Sequence, residues 1–262
     1  MQVYRGMDIG TAKPTIIERR GVTHHMIDVV EPEDEFSVAE FRRLARRVIA
    51  EADRPLIVTG GSGLHFRAVV DPMSFAPTDP ELRAELEVTP LDDLVDELRT
   101  VDEESGTRVD LANKRRVVRA VEIYRLTGET PSSRASSAEA GDVARYVPEL
   151  DFTAVGVDPG DAADSRISRR LATMRSGGLL EEVARLRDRM GRTARSAVGY
   201  AEVLDHLEGG STLDEAFAVI EQRTRKLARK QRTWFQRDPR IRWIPWSDDE
   251  ARQLERVLEA LS

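Results

Sequence analysis

The sequence contains no cysteine among its 262 residues, which excludes disulfides, thiolate metal sites and cysteine nucleophiles. It also has no apolar run of membrane-spanning length and no signal-peptide pattern, so we expect a cytoplasmic protein with no membrane partner. Hydrophobic residues make up 40% and charged residues 33% of the chain, a composition typical of a folded globular protein. The length suits one α/β domain, or a core with a smaller subdomain.

Lysine is scarce, with four of the 40 basic residues, and the formal net charge is −7. A negative net charge disfavours nucleic acid as a partner, but binding depends on where the charges lie. Acidic residues are concentrated in 31–35, 92–104 and 248–255, whereas the run from Arg223 to Arg237 has seven basic residues and no acidic one. This segregation keeps a nucleic-acid partner open.

A phosphate-binding loop is missing as well. Residues 6–13 superficially resemble one, but the motif is G-x-x-x-x-G-K-[ST], with the lysine opening a helix. Here the spacing differs, and Pro14 follows Lys13, which disfavours a helical conformation at the lysine. No other segment supplies the motif, so we predict that residues 6–13 do not bind phosphate in this way.

The first part of the chain, residues 1–77, has the pattern of an α/β core. Ser37 and Glu40 form a capping box before apolar residues at helical spacing, which predicts a helix from about 38 to 52. Residues 55–59 predict a short buried strand, followed by a glycine turn and another helix. This order is typical of a parallel sheet.

From residue 78 the pattern changes, and we interpret 78–150 as a helical insertion. Asp79 is suited to cap a short helix, and Asn113 a longer one that stops at Gly128. The segment 129–148 is rich in serine, alanine and glycine and is predicted to be a mobile loop.

The last part, residues 151–262, is predicted to return to the core. It contains candidate strands at 152–158 and 240–246, the second at a sheet edge. Thr212 and Glu215 form another capping box and open a long helix to about residue 236. Shorter helices are predicted at 162–176, 179–190 and 197–207.

Two small groups of residues are suited to a phosphate-containing ligand. Ser62 lies in the Gly60–Gly63 turn, where a ligand can approach the backbone and a hydroxyl can donate to it; a purely structural turn is equally open. Arg166 and Arg170 lie four residues apart on one predicted helix and are suited to clamp a diphosphate. Solvated surface arginines are the alternative.

Two basic helices are suited to nucleic acid. In the long helix Ile220, Leu227 and Trp234 recur at intervals of seven and predict a buried face, with arginines on a different face. Such arginines neutralise phosphates without reading bases; a solvated helix face is the alternative. The candidate residues are Arg115, Arg116 and Arg119 in the insertion, and Arg225, Arg229 and Arg232 in the long helix.

These segments together closely resemble the tRNA dimethylallyltransferase family. The resemblance begins with a long and highly specific run and continues in order over essentially the whole chain. The matching segments are MQVYRGMDIGTAKP (1–14), HHMID (24–28), FSVAEF (36–41), GGSGL (60–64), RRVVRAVEI (115–123), GLLEEV (178–183), VGY (198–200), TRKLARKQ (224–231) and TWF (233–235).

The resemblance implies a P-loop-NTPase-like α/β core with a helical insertion that grips the anticodon stem-loop of tRNA. It implies transfer of a dimethylallyl group from dimethylallyl diphosphate, with Mg²⁺, to the exocyclic amine of the adenine 3′ of the anticodon, after that base has left the stack. By matching position, Arg170 is assigned to the diphosphate. The positions assigned to tRNA are Gln2, Ser62, Arg83, Arg115 to Arg119, Arg195, Ser196 and Tyr200. At Arg195 and Ser196 the family's usual Ser-Arg order is reversed.

One part of the family pattern has no counterpart in the sequence. The family has a strand, a phosphate loop and a helix, then Asp-Ser directly before the position of Met1, and that Asp is its general base. We therefore expect the first strand, the loop, the base and the magnesium anchor to be absent. We also expect the protein to be a truncated transferase and a monomer. A non-catalytic tRNA-binding remnant stays open, as does an isopentenyltransferase of free adenine nucleotides, which the insertion and the basic helix disfavour.

Overall fold

The computed structural model describes every residue from Met1 to Ser262 and divides the chain into two compact units. Unit 1 combines Met1–Val69 with Phe152–Ser262, and unit 2 is Val70–Asp151. The insertion interpreted at 78–150 lies within unit 2. None of the helices combines the length and the apolar character that a membrane span requires.

The secondary structure is mostly helical, with two short strands in unit 1. The elements are α1 (Val38–Glu51), α2 (Gly63–Val70), α3 (Pro80–Val88), α4 (Leu91–Val101), α5 (Ser105–Arg108), α6 (Lys114–Thr127), α7 (Pro131–Ala135), α8 (Ala138–Ala144), β1 (Ala154–Asp158), α9 (Ala162–Ser176), α10 (Leu179–Leu186), α11 (Arg192–Arg195), α12 (Tyr200–Leu207), α13 (Leu213–Phe235), β2 (Ile241–Pro245) and α14 (Glu250–Leu261).

The two strands form a parallel sheet in unit 1. Their register runs from Ala154 opposite Ile241 to Asp158 opposite Pro245. Parallel strands need a long crossover connection, which α9 to α13 provide. The strands predicted at 152–158 and 240–246 are therefore confirmed, and the fold is α/β with a small parallel sheet and many helices.

The core of unit 1 lies among α9, α10, α12 and α13. Leu179, Val183 and Leu186 recur on α10 at helical spacing and are buried against the neighbouring helices. Tyr4 and Met7, which precede every helix, are buried in the same cluster. The N-terminal segment is thus part of this core, because burial of these two large side chains holds it there.

The strand predicted at 55–59 is wrong. The segment has no regular secondary structure, and Ile57 and Val58 are 88% and 61% exposed. A buried strand needs neighbours that satisfy its backbone hydrogen bonds and cover its apolar faces. The apolar pattern is present in the sequence, but no described strand pairs with it.

Unit 2 is a helical unit with its own core on α3, α4 and α6. Leu86, Leu98 and Val121 come from these three helices and are completely buried. The side chain of Asn113 caps α6 by accepting from the N–H of Arg116, and the helix ends at Gly128 in the left-handed conformation, with φ +74°. The signals that predicted this helix are confirmed.

The loop predicted at 129–148 is also wrong, because α7 and α8 lie within it. Thr130 accepts from the N–H of Ser133 at the start of α7, and Ser137 accepts from the N–H of Ala140 at the start of α8. Serine and threonine favour helix N-termini as strongly as they favour loops. Here they act as caps, so their abundance marks two helix starts.

The predicted long helix is confirmed as α13, including its reciprocal capping box between Thr212 and Glu215. The helices predicted at 179–190 and 197–207 are shorter than expected. The second begins only at Tyr200, because Gly199 has a φ of +96° and interrupts the helical backbone.

Candidate functional site

Lys13, in the segment that superficially resembles a phosphate loop, is held inside the protein. Its Nζ donates to the Tyr4 carbonyl at 2.8 Å, to Asp8 at 2.6 Å and to Asp28 at 2.5 Å, and its side chain is almost completely buried. Two carboxylates neutralise the ammonium, so it is not available to a phosphate. That residues 6–13 are not a phosphate loop stays a prediction, and these contacts of Lys13 agree with it.

Ser62 lies exposed in the turn before α2. Its hydroxyl is 2.8 Å from Nδ1 of His65, and burial lowers the pKa of that imidazole. The turn packs on α13, because a Cβ at Gly61 would lie 2.7 Å from the Gln231 side chain and one at Gly63 would overlap the Trp234 ring. The glycines therefore bring the Ser62 hydroxyl to the C-terminal half of α13.

The two arginines predicted to clamp a diphosphate lie on α9, which packs against α13, and they differ in their surroundings. The guanidinium of Arg166 stacks on the Trp246 ring, with its Cζ 3.7 Å from the ring centroid, a favourable cation–π geometry. Arg170 is exposed and has no hydrogen-bond or ion-pair partner, and desolvation by neighbouring atoms lowers the pKa of its guanidinium. An unpaired and partly desolvated cation is suited to bind an anion.

The basic run on α13 is partly compensated by carboxylates outside the run, which the sequence pattern alone did not indicate. Arg225 binds Glu221 at 3.0 Å and Asp164 at 3.5 Å, and Arg232 binds Asp158 at 2.7 Å. Arg229 has no such partner and is exposed. Of the three predicted phosphate-binding arginines, one is therefore free and two are paired.

The buried face predicted for α13 is also only partly correct. Ile220 is buried and Trp234 is half-buried, but Leu227 is 44% exposed. Arg223 adds a third internal pair, to the buried carboxylate of Glu202 at 2.5 Å. The exposed cations without an ion-pair partner are Lys226, Arg229, Lys230 and Arg237.

The segment of Arg195, Ser196 and Tyr200 divides into exposed and buried parts. Arg195 donates to the Arg187 carbonyl and to Glu208, both at 2.9 Å, and Ser196 is exposed. Tyr200 is completely buried, and its hydroxyl donates to Glu182 at 2.6 Å. The tRNA role of Tyr200 stays a prediction, but its side chain packs in the core.

In unit 2 the candidate arginines surround a buried carboxylate. Glu122 is completely buried and accepts from Arg83, from Arg119 at 2.6 Å and from the N–H of Asp79 at 3.1 Å. Burial raises the pKa of its carboxyl, but the hydrogen bonds from the two arginines outweigh burial and leave the pKa below its ordinary value.

Arg119 also donates to the carbonyls of Ala76 and Pro77, at 2.7 and 2.8 Å. Arg115 is exposed and has no partner, and Arg116 has only a distant acid, Asp110 at 3.8 Å. The tRNA role of these arginines stays a prediction, but the structure gives Arg83 and Arg119 an internal partner that the sequence did not indicate.

Sequence reasoning missed the buried glutamates Glu122 and Glu182, although a signal was present. Glu182 stands within the apolar stripe of α10, three and four residues from Leu179 and Leu186, and Glu122 follows Val121 in the stripe of α6. A carboxylate at a core position must be paired or hydrogen-bonded, so periodicity alone marks both residues as buried anions with partners.

Comparison with known proteins gives consistent matches over almost the whole chain. The family model described as IPP transferase matches residues 2–238. A tRNA dimethylallyltransferase of Bifidobacterium longum is 44% identical over 252 residues, which is 93% of this chain and 74% of the relative. One of Kineococcus radiotolerans is 42% identical over 275 residues, which covers 100% of this chain and 84% of the relative.

Solved structures agree with these sequence matches. The tRNA isopentenylpyrophosphate transferase of Bacillus halodurans has a TM-score of 0.69 and 34% identity, covering 98% of this chain and 83% of that one. A eukaryotic dimethylallyltransferase acting on tRNA has a TM-score of 0.77 over 99% of this chain and 70% of that one. Its identity is 21%, so it supports the fold alone.

An α/β fold with a small parallel sheet, together with these matches, defines the class as transferases that modify tRNA with a prenyl group. Within that class, the chain belongs to the tRNA dimethylallyltransferase (IPP transferase) family. A tRNA substrate follows from membership of this family.

Proposed function

We propose that the protein transfers a dimethylallyl group from dimethylallyl diphosphate to the exocyclic amine of the tRNA adenine immediately 3′ of the anticodon. The amine nitrogen attacks the allylic carbon, a C–N bond forms, and the C–O bond to the diphosphate breaks. The diphosphate leaves with the electron pair, and a base accepts the amine proton. The reaction therefore requires cations for the leaving group and an acceptor for the proton.

The observation that carries this proposal is the state of Arg170. The side chain is exposed and has no internal anion, and desolvation by neighbouring atoms lowers its pKa, so its guanidinium is accessible and unpaired for a bound anion. Arg166 lies one turn away on α9, and its stacking on Trp246 leaves its N–H groups free. Both arginines are suited to hold the diphosphate while the allylic bond breaks.

We also propose that α13 binds phosphates of the anticodon stem, through a different set of side chains from the one that the sequence suggested. Lys226, Arg229 and Lys230 are exposed and have no ion-pair partner, and their spacing places them on one side of the helix. Because Arg225 and Arg232 already have carboxylate partners, they offer less charge to RNA.

The residues present do not fit a magnesium ion held by the protein alone, since the 262 residues contain no cluster of three or more acidic or histidine side chains. No step above depends on the metal. The sequence likewise contains no G-x-x-x-x-G-K-[ST] motif, and the resemblance assigns the base to an Asp outside it. We propose that full activity needs a phosphate loop and a carboxylate base in addition to Arg166 and Arg170.

One feature of unit 1 favours pairing with a further strand. The sheet has two strands, which pack on α14. The apolar segment that includes Ile57 and Val58 is exposed and would be covered by another strand. An added strand would complete the sheet and protect this segment.

The test is transfer of a labelled dimethylallyl group to unmodified tRNA, with and without an upstream segment that carries the motif and ends in Asp-Ser. We expect turnover only with that segment. Robust turnover by the 262 residues alone would refute this requirement. If the form that carries the segment binds tRNA without any transfer, the non-catalytic remnant is favoured. If it transfers the group to free adenine nucleotides, the related enzyme class is favoured.

The donor site is tested in the same assay with Arg170→Ala, and Arg169→Ala on the same helix is the matched control. We expect Arg170→Ala to raise KM for dimethylallyl diphosphate, to lower kcat, or both, with unchanged tRNA affinity. The control should leave the donor kinetics unchanged. Weaker tRNA binding by Arg170→Ala with unchanged donor kinetics would contradict the assignment.

The tRNA surface is tested by the salt dependence of binding. Each phosphate of a duplex stem that the protein no longer neutralises should lower the log–log slope by about 0.9, so replacing Lys226, Arg229 and Lys230 by Ala should lower it by up to about 2.7. The matched control, Arg225→Ala with Arg232→Ala, should change the slope less because these side chains are paired internally. A larger change in the control would reverse our assignment.

A further inference from the structure

The loop Asp8–Ala12 is closed around the carboxylate of Glu182 on α10. Oε2 accepts from the N–H groups of Asp8 at 2.9 Å and Ile9 at 2.8 Å, and Oε1 accepts from that of Gly10 at 3.1 Å. Successive backbone N–H groups that converge in this way form an anion-binding concavity. Here the anion is the protein's own buried glutamate, so the loop is directed inward and held by α10.

Tyr200 on α12 completes this arrangement. Its hydroxyl donates to Oε1 of Glu182 at 2.6 Å. Burial, followed by the hydrogen bond and charge of Glu182, raises the pKa of Tyr200, which keeps the hydroxyl protonated as a donor. A Cβ at Gly10 would lie 2.5 Å from the Tyr200 ring, so the loop packs directly on this ring.

The same loop fixes the side chain of Gln2. Its Nε2 donates to the carbonyls of Thr11 at 3.2 Å and Ala12 at 3.0 Å. With both amide hydrogens used, the amide orientation is determined and Oε1 remains as a free acceptor. Ala12 has a φ of +48°, a conformation that a non-glycine residue adopts only when its surroundings require it.

We propose that Glu182 is a positioning residue for tRNA: through the loop Asp8–Ala12 it holds the Gln2 amide so that Oε1 can accept a hydrogen bond from the target nucleotide. An adenine offers its exocyclic amine as the complementary donor. The contact of Gln2 with tRNA is what the family resemblance implies, and the inference rests on the proposed transfer to the tRNA adenine. It adds that the buried glutamate and Tyr200 determine the orientation of that side chain.

A double-mutant cycle tests the inference, with the dissociation constant of an unmodified anticodon stem-loop as the readout. Glu182→Gln keeps the shape but places an amide against N–H donors, and Gln2→Ala removes the positioned group. We expect each change to weaken binding about tenfold, and the double variant to be little weaker than either single one. Amide hydrogen exchange at Gly10 and Thr11 should also become faster in Glu182→Gln.

Glu202→Gln is the matched control. Glu202 is another buried glutamate of unit 1, but it binds the Gly199 N–H and Arg223 and does not touch the loop. Its effect on binding should add to that of Gln2→Ala, because it acts on the fold alone. If Glu182→Gln is equally additive, or leaves exchange at Gly10 unchanged, the positioning role is refuted.

Tyr200→Phe provides a milder second variant if Glu182→Gln does not fold. It removes one hydrogen bond from Glu182 and keeps the ring under Gly10, and it should show non-additivity of the same sign with Gln2→Ala. If Gln2→Ala alone leaves binding unchanged, Gln2 does not contribute to tRNA binding and the inference is overturned. Absence of prenyl transfer by the form that carries the upstream segment, with the binding cycle intact, would instead refute the proposed function.

Discussion

Replacement of Arg119 by alanine separates a structural role from a tRNA role in unit 2. The change removes one of two guanidiniums from the buried carboxylate of Glu122 and the donors of two backbone carbonyls. A hydrogen bond to a charged group contributes about 1.5–3 kcal/mol, and one to a neutral carbonyl about 0.5–1.5 kcal/mol. Water can replace part of the latter, because the Arg119 side chain is 31% exposed.

We therefore expect Arg119→Ala to lower the stability of unit 2 by about 3 kcal/mol. The loss stays below that of an isolated buried charge because Arg83 still pairs with Glu122. For a unit of this size, about 3 kcal/mol corresponds to a fall in Tm of roughly 12 °C or more. Thermal unfolding, together with hydrogen exchange of the α6 amides, measures this change.

Arg115→Ala is the control on the same helix. Arg115 is exposed and has no partner, so its loss should change stability by less than about 0.5 kcal/mol while lowering the salt slope of tRNA binding by about 0.9. Two results together would refute the reasoning: unchanged unfolding of unit 2 in Arg119→Ala, and a fall in its salt slope equal to the one expected for Arg115→Ala.

Three further predictions follow from individual contacts. The pKa of Glu122 is lower in the folded chain than in the unfolded chain, so its ionised form stabilises unit 2 above the ordinary carboxyl pKa, and this stability is lost as the pH falls through the folded value. Glu122→Gln should therefore flatten the acid side of a profile of stability against pH. An unchanged profile would contradict this prediction. Gly63→Ala should destabilise unit 1 in thermal unfolding because its Cβ overlaps Trp234, whereas Gly60→Ala, with open space around it, should not; equal effects would argue against the packing of the turn on α13. Ser37→Ala should lower stability by about 1 kcal/mol, because Ser37 caps α1 by accepting from the N–H of Glu40 at 3.1 Å, and an unchanged urea midpoint would refute this.

The local elements of the fold could be predicted because their causes are local. The capping box at Thr212, the cap at Asn113 and the left-handed Gly128 lie within a few residues of the hydrogen bonds that they form, so the sequence contains both partners. The strand at 152–158 was predicted from a weak alternation along the chain, which is also a local pattern. The family could be inferred because long, specific motifs match it in order.

The failures have a common cause, which is that the deciding partner is distant in sequence. The apolar run at 55–59 indicates a strand, but only a neighbouring strand would make it one. The serines of 129–148 are compatible with loop or helix, and the backbone of unit 2 selects helix. In each case the local pattern allows two structures, and packing chooses between them.

The candidate site shows the same division between sequence and tertiary structure. The sequence alone determined that α13 is basic and that Arg170 stands at a position suited to a diphosphate. Only the tertiary structure decided which of these charges are free, because the carboxylates of Asp158 and Asp164 come from other elements. An ion pair needs proximity within a few ångströms, and the fold supplies that proximity for residues that lie far apart in the chain.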